Sequence, residues 1–206
     1  MTDQGIPLSR QPNPLLTREY LIKTLITILD HAMPACADVE YRLVGTGAAL
    51  LRGVELPAGD IDILMKKKDG VEAFCQTLKS FRCIEPASWL EDARQYYANY
   101  EVGGVEVGLS TVEIETDSDA FETIGRGPWE HFSFISCGPY SVPAVSLELR
   151  LATELYRNRL DRYAPILQYL RGYGCDVNLV RRGMEDAGVS HALREDLLKQ
   201  LEGNSI

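Results

Sequence analysis

No apolar run in the chain approaches the length of about 20 residues that a membrane span requires, and the N-terminus lacks the charged start and apolar stretch of a signal peptide. A cytoplasmic protein is therefore expected. Cysteine supplies no framework either. Cys36, Cys75, Cys83, Cys137 and Cys175 are odd in number, widely spaced and without a Cys-x-x-Cys pair, which argues against a zinc site or a disulfide scaffold and for reduced thiols. Positive charge is scarce: 21 Lys and Arg face 30 Asp and Glu, a net charge of -9. Basic and acidic residues balance after position 145, so the whole acidic excess lies before it. That distribution opposes loose binding to a nucleic-acid backbone and favours a small or cationic partner. Internal repeats and low-complexity segments are missing too. What remains is an ordinary globular composition over 206 residues, enough for a sizeable core in one large or two small domains.

The stretch whose residue order suggests chemistry runs from Tyr41 to Met65, YRLVGTGAALLRGVELPAGDIDILM. Tyr41 to Val44 reads as a buried strand, the chain breaks at Gly45-Thr46-Gly47, and Ala48 to Arg52 is helix-compatible. After a loop with Gly53, Pro57 and Gly59, the segment Asp60 to Met65 alternates acidic and apolar residues. Residues two apart on a strand share a face, so Asp60 and Asp62 project together and Ile61 and Ile63 face the other way. Paired carboxylates disfavour each other's ionisation unless a cation sits between them. Hard oxygen ligands on a rigid strand suit magnesium, which takes its remaining ligands from water and substrate phosphates. The glycine turn upstream offers backbone N–H groups and the Thr46 hydroxyl to an anion.

A Gly-(Ser/Thr) turn after a strand, followed by Asp-x-Asp on the next strand, resembles the nucleotidyltransferase superfamily that includes DNA polymerase beta and the aminoglycoside and lincosamide nucleotidyltransferases. Gly45, Thr46, Asp60 and Asp62 carry the resemblance. Their spacing is closer to the antibiotic-modifying members than to the minimal ones. The resemblance implies an α/β (α+β) fold with a short mixed β-sheet, packed helices and a helical C-terminal part. It also implies attack by an acceptor hydroxyl on the α-phosphorus of a nucleoside triphosphate, with Mg2+ held by three carboxylates. Asp60 and Asp62 would be two of these, and Gly45 and Thr46 would hold the distal phosphates.

The third carboxylate is sought on a later strand. Gln95 to Val102 and Val105 to Val112 flank Gly103-Gly104, a hairpin signal. In the second arm Val105, Val107 and Leu109 alternate with Glu106, Gly108 and Ser110, which makes Glu106 the expected third ligand, although the family position is usually aspartate. If the register places Gly108 there instead, that ligand is missing. Glu113 and Glu115 are weaker substitutes.

Around this nucleus, a helix is expected from its N-cap Thr17 until Pro34, after an irregular arm over residues 1 to 14. A helix is expected over Val71 to Ser80, a loop over residues 117 to 128, and a hairpin from His131 to Val142. Trp129 and His131 are weaker candidates for an acceptor pocket. From Ser146, expected to cap the next helix, four helices should follow. A catalytic part over residues 1–145 and a helical part over 146–206 are expected. Glu148 or Glu154 could supply a general base by analogy with some relatives, but charge pairing along the helix is the simpler reading. A small-molecule acceptor is the leading expectation. The rivals are a catalytically silent binding module of the same fold, or transfer to a protein or RNA.

Overall fold

A computed structural model describes residues 15–202, so the arm expected over residues 1 to 14 lies outside them. Helix α1 (Arg18–Ala32) starts where the Thr17 hydroxyl accepts the Tyr20 N–H, and it buries Leu21, Leu25, Ile28 and Leu29. Strand β1 (Tyr41–Val44) runs straight into helix α2 (Gly45–Leu51). The glycine turn is thus the first turn of the helix rather than a break before it. Gly45 makes this possible with φ +72, a conformation that other residues adopt only under strain.

Strand β2 (Asp60–Met65) has the expected bounds, and Ile61 and Ile63 are fully buried. Helix α3 (Lys68–Thr77) begins earlier than expected, taking Asp69 and Gly70 into its first turn. Strand β3 (Arg82–Leu90) was not legible in the sequence: it is an edge strand, mostly exposed, interrupted by register shifts and containing Pro86. Strands β4 (Gln95–Val102) and β5 (Val105–Val112) form the expected hairpin, with positive φ at both Gly103 and Gly104. A single turn, α4 (Gly127–Glu130), sits at the end of the expected loop. The β6 (Phe132–Cys137) and β7 (Tyr140–Val145) hairpin follows.

These strands make one sheet in the order β3-β4-β5-β2-β1-β7-β6. The β2–β5 and β1–β7 pairs are parallel and the others antiparallel, so the sheet is mixed with β2 at its centre. The remaining helices are α5 (Leu147–Tyr156), α6 (Leu160–Tyr173), α7 (Val177–Asp186) and α8 (His191–Glu202). Asp176 caps α7 through the N–H groups of Asn178 and Leu179. Ser146 departs from expectation: it stands at the N-cap of α5, yet its buried hydroxyl makes no hydrogen bond. Helix α5 packs against α2, α6 and α7, so the C-terminal helices close on the strand–helix–strand nucleus. Among the described residues no helix is long and apolar enough to cross a membrane.

Candidate active site

Antiparallel pairing of β1 with β2 sets Val44 opposite Asp62, which brings the glycine turn alongside the second aspartate. The fit is close. A Cβ on Gly45 would lie 2.6 Å from Asp62 Oδ2, and a Cβ on Gly108 would lie 3.0 Å from Asp62 Oδ1. The Asp62 carboxyl group therefore fills space that two side chains would otherwise claim. Burial, then the charges of Asp60 and Glu122, push its pKa up to about 7. Asp60 is exposed beside it.

The parallel register of β2 with β5 decides the position of the third carboxylate. Asp60 stands opposite Glu106, and Asp62 stands opposite Gly108. Glu106 is half-buried and accepts a 3.4 Å hydrogen bond from Asn99 Nδ2. Tyr97 closes over Gly108, since a Cβ there would lie 3.2 Å from its ring. Burial and the negative charge of Asp62 raise the Tyr97 hydroxyl to about 12. Among the described residues, the one group of three possible metal ligands within 4.8 Å of one another is Asp119, Glu130 and His131. Asp119 there already accepts from Arg182 and contacts His131, and Glu130 pairs with Arg126. This arrangement is a satisfied ion-pair cluster.

A cavity of about 890 Å³ opens over this face. Gly45, Thr46, Asp60 and Asp62 line it together with Tyr97, Ser110, Glu122 and Tyr156. Arg150, Arg157, Arg162 and Asp186 line it as well, and the charges of Arg150 and Arg157 act against the rise of the Asp62 pKa. Glu122 and Arg150 are the residues that sequence reasoning missed. Arg150 Nη1 donates to Glu122 at 2.8 Å, and the same guanidinium pairs with the fully buried Glu154, which Arg162 also approaches at 3.5 Å. Glu154 is thus committed to charge pairing, and Glu148 accepts the Asp176 N–H. Trp129 lies against the Arg42 guanidinium, 4.9 Å from ring centroid to carbon, and neither it nor His131 lines the cavity.

No protein-family model matches the chain, and no curated protein matches it in sequence. Solved structures do. A Thermotoga maritima protein provisionally described as a nucleotidyltransferase superposes with a TM-score of 0.55 at 16% identity, over 77% of this chain and 97% of that one. An antigenic nucleotidyltransferase-like protein from Paracoccidioides brasiliensis gives a TM-score of 0.48 at 12% identity, over 91% and 95%. ANT(2″)-Ia in complex with adenylyl-2″-tobramycin gives 0.47 at 11%, over 90% and 98%. The fold is that of the nucleotidyltransferases.

Proposed function

We propose that the protein moves a nucleoside monophosphate from a nucleoside triphosphate to a hydroxyl group, by metal-assisted catalysis. The observation that carries this reading is the convergence of Asp60, Asp62 and the Gly45 turn on one cavity that Arg150, Arg157 and Arg162 also line. Asp60 and Asp62 fit a magnesium ion: both offer hard oxygen donors from one face of a central strand, and the nearby Arg150 is committed to Glu122 and Glu154. When bound, such an ion would supply Lewis-acid polarisation of the reacting phosphoryl group and charge neutralisation on the departing pyrophosphate.

The chain's own residues supply placement. Asp62, confined between Gly45 and Gly108, presents its oxygens in a fixed position. Glu106 is the proposed third carboxylate, and its extra methylene would let it turn from Asn99 toward Asp60, its neighbour in register. Thr46 lines the cavity and would donate its hydroxyl to a phosphate, and the guanidinium groups would answer phosphate charge. A small-molecule acceptor fits the cavity volume and the acidic balance of the chain. The experiment is calorimetric titration with each nucleoside triphosphate, with and without Mg2+, beside an Asp60→Asn, Asp62→Asn double variant. Metal-dependent binding lost in the variant supports the reading; undiminished binding in the variant sinks it.

One observation favours a second reading, a catalytically silent module that binds a partner. Gly108 opposes Asp62, and Tyr97 occupies the space beside it. Absence of nucleotide binding together with a stoichiometric copurifying protein would select this alternative.

A further inference from the structure

The first amide of α2 is already taken. Gly45 donates its N–H to Glu122 Oε1 at 2.7 Å, from a loop 77 residues further along the chain, while Arg150 donates to Glu122 Oε2 at 2.8 Å. Glu122 is only 3% exposed, so its carboxylate is built into the cavity wall. Val44, at the N-cap position, makes no capping bond of its own. A carboxylate supplied from elsewhere satisfies the amide and suits the positive end of the helix. A phosphate approaching Gly45 would therefore meet a negative charge in place of a free donor.

The arginines that line the same cavity carry the reverse charge. Arg150 is 5% exposed and its buried Nε has no partner. The Arg162 Nε is likewise buried and unpartnered, and Arg157 is exposed at the end of α5. All three line the cavity.

We propose that Glu122 is a resident anion that occupies the Gly45 amide and directs the phosphates of a nucleotide to Arg157 and Arg162. This inference rests on the nucleotidyltransferase reading of the cavity. It replaces the Gly45 amide as a phosphate donor and makes Glu122 a positioning residue that never touches the reacting atoms.

The test follows the donors directly. Mg2+ with inorganic tripolyphosphate, which carries the charge common to every nucleoside triphosphate, is titrated into the 15N-labelled full chain. The Nε–H resonances of Arg157 and Arg162 should move while the Gly45 amide stays in place. Arg157→Gln should weaken binding about tenfold. Glu122→Gln keeps an oxygen for the Gly45 N–H and loses its charge, so it should bind tripolyphosphate about threefold or more tightly. A Gly45 resonance that moves as far as those of the arginines, or weaker binding by Glu122→Gln, overturns the proposal. Binding that depends on Asp60 and Asp62 but leaves the arginine resonances unmoved defeats this inference alone. No binding by the wild-type chain defeats the nucleotidyltransferase reading with it.

Discussion

Asp62 has little room to move, because its carboxyl oxygens occupy the places where side chains at Gly45 and Gly108 would begin. Gly45→Ala should be the more damaging change, since it adds both the clash and a strained φ of +72. It should lower stability by about 2 kcal/mol or more in urea denaturation and displace the aspartate proposed to hold Mg2+. Magnesium itself should raise the thermal midpoint of the wild-type chain and leave that of the Asp60→Asn, Asp62→Asn variant unmoved. An equal rise in both would place the ion elsewhere. Asp119 gives a pH-dependent counterpart. Hydrogen bonds from Arg182 and then from His131 hold its carboxyl down at about 2. A depressed carboxylate pKa stabilises the fold above the ordinary value near 4, and that contribution disappears as pH falls from about 4 to about 2. Asp119→Asn should therefore cost about 1–2 kcal/mol at pH 7 and flatten this part of the acid limb in denaturation series across that range.

At the scale of elements, the sequence was readable wherever period and punctuation agreed. The acidic–apolar alternation of β2 and the Gly103-Gly104 turn between β4 and β5 gave the bounds that the structure has. Strand β3 gave no such signal, because an exposed edge with register shifts needs no alternating face. The caps divide in the same way. Thr17 bonds the α1 terminus, whereas Ser146 looks equivalent in sequence and bonds nothing. Thr17→Ala should cost about 1 kcal/mol, and Ser146→Ala should be neutral or slightly stabilising, since it removes a buried unpaired hydroxyl. Comparable losses in chemical denaturation of the two variants would contradict this distinction. Glu122 was illegible for another reason: among the acidic residues of the loop before α4, only its partners 77 and 28 residues away set it apart.

Across the whole molecule, one chain of partners runs from the Gly45 N–H through the buried Glu122, Arg150 and Glu154 to the partly exposed Arg162. Removing one member strands the others out of water. Arg150→Met should cost about 3–5 kcal/mol in equilibrium unfolding, far more than the loss of an exposed pair such as Arg181 with Glu202. The division expected at residue 145 runs between Glu122 and its guanidinium partner. During synthesis, Asp60, Asp62 and Glu122 emerge before Arg150 does. Until α5 is made and docked, Glu122 has no cation to accompany it inside, so the nascent chain must leave that loop in water. The final shape of the cavity is thus timed by its latest-arriving wall, and a premature stop near residue 145 should leave the Glu122 loop without the partner that closes it.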